Sequence, residues 1–231
     1  MKAVVSEIMQ NKLFYTLNLV LIVFVLFFLI LFTRAEGFIW LNQFHTKSLN
    51  LVFEAITFLG DGLFIIVTAL VLFFFKKTRN LAFIIILSYL SSGLFAQLIK
   101  NMIIAPRPSV YFRMYHHQYY LDTFAHSRIG FKSFPSGHTA SFFALATVLS
   151  GYFKKRYICW CLLILSMMVG YSRVYLAHHF LIDVCVGAII GLVFGVLSLV
   201  WYKTILATPQ VINKLRTRKF FEALEPNHSL N

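Results

Sequence analysis

Apolar residues run through this chain in long unbroken blocks, without the alternation of a half-buried strand or the three-to-four spacing of a surface helix. Six blocks stand out, at 13–33, 50–75, 80–104, 135–153, 156–174 and 180–202. A helix needs about 20 apolar residues to cross a hydrocarbon core of roughly 30 Å. Within that core every backbone polar group must be satisfied inside the segment, which favours helices. The pattern therefore predicts an all-α, integral-membrane bundle of six transmembrane helices, with an extracytoplasmic loop over 105–134 between spans three and four. The first block is longer than a signal-peptide core and no small-x-small cleavage site follows it, so it is read as a retained helix. The membrane domain is expected over 1–203, with a basic tail over 204–231 and no linker, repeat or second domain.

Composition agrees with the pattern and adds sidedness. Hydrophobic residues make up 59% of the chain and charged residues 13%, against roughly 45–50% and about 25% in soluble domains. No soluble core of this size hides so much apolar surface. The net charge of +13 is spread in short clusters such as Lys76, Lys77 and Arg79, or Lys154, Lys155 and Arg156. A nucleic-acid partner is excluded, since such binders gather their charge on one soluble face. With six spans, one side carries 13 Lys and Arg and the other 8, three of which belong to the motifs below. The positive-inside rule then puts both termini in the cytoplasm. The 105–134 loop and the starts of spans four and six face outward. The tail (Lys214, Arg216, Arg218, Lys219, Phe220, Phe221) is expected to lie on the inner leaflet. Cys159, Cys161 and Cys185 lack disulfide or zinc spacing and read as small buried hydrophobes. Gly187, Gly191 and Gly195 recur every fourth residue and invite a close helix neighbour, in this chain or another.

Ionisable residues at the ends of apolar spans are costly and point to function. Three groups fall on the outward face: Lys100 with Arg107 and Pro108; Pro135, Ser136, Gly137 and His138; and Ser172, Arg173, His179 and Asp183. Lys100, Arg107 and Arg173 offer many N–H donors and no acceptor, which suits a tetrahedral oxyanion. Ser136 and Gly137 stand where a helix begins after Pro135, and free backbone N–H groups there bind anions. Phosphate is the ligand that fits. His179 and Asp183 are four apart and would share one helix face. The carboxylate would hold one ring nitrogen and leave the other to attack phosphorus. His138 would protonate the leaving oxygen and then activate water. Taken singly, Lys100 and Arg107 could be interfacial snorkellers, Pro135–Gly137 an ordinary helix start and His179–Asp183 a structural pair. Together they share one membrane face. His178 is read as a bystander, about 100° round the helix from its neighbour.

Lys-x6-Arg-Pro, Pro-Ser-Gly-His and Ser-Arg-x5-His-x3-Asp, in that order, resemble the three-part signature of the type 2 phosphatidic acid phosphatase (PAP2) superfamily. Every signature position is filled, and the resemblance covers roughly 50–200. It implies a six-helix membrane fold and metal-independent dephosphorylation of a lipid through a phosphohistidine. His179, His138 and Asp183 would be catalytic, and Lys100, Arg107, Ser136, Gly137 and Arg173 would bind phosphate. No cofactor or metal is implied. The partners are the bilayer and a phosphorylated lipid: undecaprenyl pyrophosphate, phosphatidylglycerol phosphate, phosphatidic acid or lipid A. A bacterial-type inner membrane, with the site on its outer side, is the expected location.

Other readings use the same residues. A phosphotransferase would pass the phosphoryl group to a second lipid. A vanadate-dependent haloperoxidase shares the anion pocket, but its familiar members are soluble. A transporter would place broken helices at mid-membrane instead of motifs at span ends. The 109–134 loop carries Tyr111, Phe112, Tyr115, Tyr119, Tyr120, Phe124, Phe131 and Phe134, which suit an interfacial aromatic belt or a lid over a head group. His116, His117 and His126 have no good zinc spacing. Gly60-Asp61-Gly62 reads as a turn, with Asp61 structural.

Overall fold

The computed structural model describes residues 2–119 and 127–206. Among the described residues ten α-helices follow in order: α1 (Lys2–Gln10), α2 (Lys12–Leu31), α3 (Arg34–Leu41), α4 (Lys47–Phe58), α5 (Gly62–Phe74), α6 (Arg79–Met102), α7 (Pro108–Tyr115), α8 (Gly137–Phe153), α9 (Arg156–Tyr175) and α10 (Leu181–Trp201), with a π-helical turn at Tyr202–Leu206. Local chemistry sets several starts. Thr33 and Glu36 form a reciprocal capping box on α3, the Thr46 hydroxyl caps α4, and Asp61 accepts from Leu63 N at the start of α5. Pro108, which has no N–H to lose, opens α7.

Among the described residues, α2, α6, α9 and α10 are long and apolar enough to cross a membrane. The chain is a multi-pass membrane protein. The expected second span, 50–75, is not one straight helix: α4 and α5 meet at 51° around Leu59–Asp61, the geometry of a broken span or a re-entrant loop. The apolar helices thus give four crossings, or five if this pair is one span, against the six expected. The expected fourth span, 135–153, is α8, which has 17 residues and a length of about 26 Å. It is buried from Thr139 through Val148 and forms the centre of the bundle, with α6, α9 and α10 around it. By contrast α2 turns Leu19, Val23, Phe27 and Ile30 outward, as a lipid-facing helix does.

The glycine stripe of α10 meets α8 of the same chain. A Cβ at Gly187 would stand 2.6 Å from Ser136 O, at Gly191 2.5 Å from Ala140 O, and at Gly195 2.5 Å from Thr147 Cβ. Only a bare backbone fits, so the spacing fixes the approach of the two helices that carry the second and third motifs. At the other end of the bundle, buried Glu7 pairs with Lys203, and Asn11 bonds Ser150. Cys159 and Cys185 are buried, as expected, but Cys161 is exposed on α9. The basic residues Lys214 to Phe221, like Tyr120, Phe124 and His126, lie outside the described residues.

Candidate active site

The three motifs converge where five helix ends meet. Lys100 comes from the last turn of α6, Arg107 from the N-cap of α7, Ser136 to His138 from the start of α8, and Arg173 from the last turn of α9. His179 and Asp183 flank the start of α10. His179 lies outside that helix, whose N-cap is Phe180, so the pair does not share a helix face as expected. A tight turn after Tyr175 brings it round instead: the backbone N–H groups of His178 and His179 both donate to Arg173 O, at 3.0 and 3.1 Å. Ala177 adopts a left-handed φ of 52° in that turn.

Asp183 is wholly buried and held from several sides. Its Oδ2 accepts Ser133 Oγ–H at 2.5 Å and Phe180 N–H at 3.0 Å. The same oxygen faces His179 Nδ1 at 3.5 Å. That contact is long and poorly aligned for a hydrogen bond, since Nδ1 otherwise finds no partner among the described residues. It is an electrostatic contact between an imidazole and a carboxylate that the Ser133 hydroxyl and a backbone amide already orient. Burial pushes the His179 pKa down to about 4; the nearby Asp183 carboxylate opposes this and Arg173 reinforces it. A pKa that low favours the neutral form of the ring.

Arg173 is 1% exposed. Its Nη1 donates to Thr57 Oγ1 at 2.5 Å, while Nε and Nη2 have no partner among the described residues. A buried guanidinium with free donors is a strong site for an oxyanion, because unpaired buried charge is costly. Arg107 Nη1 donates to His178 O at 2.7 Å, and its backbone N–H donates to Gly130 O at 2.9 Å. Burial lowers the Arg107 pKa, Arg128 adds to this, and Asp183 opposes it. Lys100 feels the charges of Arg107, Asp183, Arg173 and Arg128. At the head of α8, Ser136 N–H donates to Asp183 O at 2.9 Å, and the buried Ser136 hydroxyl accepts from Thr139 at 2.9 Å. The Ser136 amide is thus engaged, and the amides of the following turn are the ones left for an anion. No atom comes within 4 Å of where a Gly137 Cβ would lie, so the backbone there faces open space.

His138 Nε2 faces Asp61 Oδ2 at 3.4 Å. The side chain of His178 takes no part in these contacts; burial takes its pKa down to about 2, and the bond it makes to Arg107 is through its carbonyl. Of the aromatic loop, Phe112 is buried against Phe38 and Phe180, while Tyr115 and Phe131 are exposed. Among the described residues no group of three or more His, Cys, Asp or Glu side chains gathers as metal ligands do.

Five residues near the site have no role in it from the sequence, which reads Asp61 as structural. Ser133, Thr57 and Asp61 touch Asp183, Arg173 and His138. Arg128 is a fourth cation near Lys100, Arg107 and Arg173. Arg34 lies 3.8 Å over the Phe180 ring and borders a cavity of about 560 Å³. Asp183, Pro106 and Phe134 also line that cavity, with Phe28, Leu29, Phe32, Ile103 and Ile104 on its apolar side. A carboxylate inside an apolar run was the signal available for Asp61. Ser133 and Thr57 carried none, because a hydroxyl near a span end is ordinary.

The lipid A 4′-phosphatase of Porphyromonas gingivalis is 30% identical over 149 residues, covering 58% of this chain and 63% of that protein. The undecaprenyl-diphosphatase BcrC of Bacillus subtilis is 37% identical over 65 residues, 28% of this chain and 33% of that protein. The chain thus spans less than two thirds of the length of these curated relatives. The crystal structure of Aquifex aeolicus LpxE superposes with a TM-score of 0.59 at 30% identity, over 71% of this chain and 93% of that one. The family model of the PAP2 superfamily matches residues 81–206, which hold all three motifs, and the chain belongs to that superfamily.

Proposed function

We propose that this protein is a metal-independent lipid phosphatase working through a phosphohistidine on His179. The observation that carries the reading is Arg173: a buried guanidinium with unpaired Nε and Nη2 donors, beside an imidazole backed by Asp183. Arg173, Arg107, Lys100 and the first amides of α8 hold the phosphoryl oxygens and meet the charge that builds in the transition state. His179 attacks phosphorus with its free nitrogen, while Asp183 stabilises the ring as it gains positive charge. His138 donates a proton to the departing oxygen. It then takes one from water as water displaces the phosphoryl group from His179. The electrophilic charge comes from guanidinium and ammonium groups, so the mechanism needs no metal.

The apolar cavity beside Asp183 suits the hydrocarbon of a lipid whose phosphate sits among the cations. Of the candidate lipids, a lipid A phosphate is favoured, because the relative named for it aligns over 149 residues against 65 for the undecaprenyl-diphosphatase. The proposed setting is a bacterial-type inner membrane, with both termini cytoplasmic and the site outward. Purified protein should release inorganic phosphate from lipid A without any acceptor lipid. Turnover that requires an acceptor would make it a transferase, and none with any phosphorylated lipid would refute the reading.

A further inference from the structure

Between α4 and α5 the chain breaks at Gly60-Asp61-Gly62, level with the site. The turn is built to press inward. A Cβ at Gly60 would stand 2.7 Å from His138 O and 3.1 Å from His138 Cβ, and one at Gly62 would collide with the Tyr89 hydroxyl. Backbone contact at both glycines thus fixes where the intervening carboxylate goes. The two oxygens of Asp61 then divide their work. Oδ1 accepts Leu63 N–H at 2.9 Å and caps α5, whereas Oδ2 faces His138 Nε2 at 3.4 Å. An N-cap alone asks only for one acceptor, and Ser, Thr or Asn supply it as well. The second oxygen, aimed at an imidazole, exceeds what the cap requires.

Charge gives that oxygen a purpose. The groups facing His138 are Arg173 from α9, Lys100 from α6, Arg128 from the loop and His179 from the turn before α10. All are cations or neutral rings, and like charges disfavour an imidazolium. A proton donor placed there needs a nearby negative charge. Asp61 is the carboxylate in contact with it.

Resting on the phosphatase reading, we propose that Asp61 is a positioning residue that orients His138 through its contact with Nε2 and balances its charge when it carries the proton. With Nε2 engaged, Nδ1 is the nitrogen left for exchange. Its proton passes to the leaving oxygen as the phosphorus–oxygen bond breaks. It is regained from water as the new phosphorus–oxygen bond forms and the bond to His179 breaks.

The test compares wild type, Asp61→Asn, Asp61→Ser and Asp61→Glu in detergent micelles on two substrates. Dodecyl phosphate has a poor leaving group that needs a proton. An alkyl-substituted 4-nitrophenyl phosphate has a good one that does not. Acid catalysis is typically worth about 10²–10⁴ in rate, so Asp61→Asn and Asp61→Ser should lose about tenfold or more in kcat on the alkyl phosphate. They should lose less than about threefold on the aryl phosphate, with KM little changed. Both variants keep a capping acceptor, so thermal unfolding should stay close to wild type. The alkaline limb of the alkyl-phosphate rate should move to lower pH in both, and Asp61→Glu should restore part of the rate. Equal losses on the two substrates, or an unmoved alkaline limb, would assign Asp61 to the helix cap alone. An active wild type with an indistinguishable Asp61→Asn sinks this inference but not the phosphatase reading. An inactive wild type sinks both.

Discussion

The carbonyl oxygen of Asp183 accepts the backbone N–H of Ser136 at 2.9 Å. Its carboxylate, one residue's width away, faces His179. One residue therefore ties the proposed nucleophile to the helix start that would cradle the phosphate. The tie depends on Gly187, one turn further along α10, whose missing side chain lets Ser136 O approach. Gly187→Ala should force the two helices apart, at a cost of about 1–3 kcal/mol, and should lower kcat as well as the unfolding temperature. Unchanged activity in a destabilised Gly187→Ala protein would show that the approach serves folding only.

Replacing the proposed nucleophile should be near-complete in effect. His179→Ala is expected to cut phosphate release by at least about a thousandfold, in line with losses of a covalent catalyst. Wild type quenched in alkaline denaturant, where the N–P bond of a phosphohistidine survives, should carry label from the substrate phosphate on His179. A residual rate close to wild type would reject the assignment.

Arg173→Lys keeps the charge but not the planar fork. With Thr57 already using Nη1, the remaining donors are those free for phosphate. Removing one such donor typically costs about 10²–10³ in rate, so kcat/KM should fall by about a hundredfold. Full activity of Arg173→Lys would mean that charge alone suffices there.

Ser133→Ala removes one of the two hydrogen bonds that orient the Asp183 carboxylate. Hydrogen bonds to charged groups contribute about 1.5–3 kcal/mol. The variant should therefore lose about tenfold in kcat while KM holds. Loss in KM alone would place Ser133 on the substrate rather than behind the carboxylate.

The pH profile follows from burial of His179. Its pKa lies near 4, below the ordinary histidine value. The reactive ring is neutral above that pKa and protonated, hence inert, below it. The acid limb of kcat/KM, corrected for ionisation of the substrate phosphate, should therefore fall near pH 4. A limb at or above the ordinary histidine pKa of about 6.5 would contradict the buried-imidazole account. EDTA should leave the rate unchanged, and vanadate should inhibit by mimicking the five-coordinate transition state. Loss of activity in EDTA, restored by a metal, would overturn the metal-free mechanism.

The sequence by itself determined the solvent, the class of fold and which residues carry the donors and charge proposed to hold a phosphoryl group. Each of these is a local property. Apolar block length sets whether a helix suits lipid, and side-chain type sets whether a group donates, accepts or carries charge. Tertiary structure decided what spacing along the chain cannot encode. It broke 50–75 at Asp61, sank α8 into the middle of the bundle and set α10 against α8 of the same chain. It also brought Ser133, Thr57 and Asp61 to Asp183, Arg173 and His138 from up to 116 residues away. Such partners are chosen by packing at helix ends, where a hydroxyl or carboxylate gains meaning only from what stands opposite it.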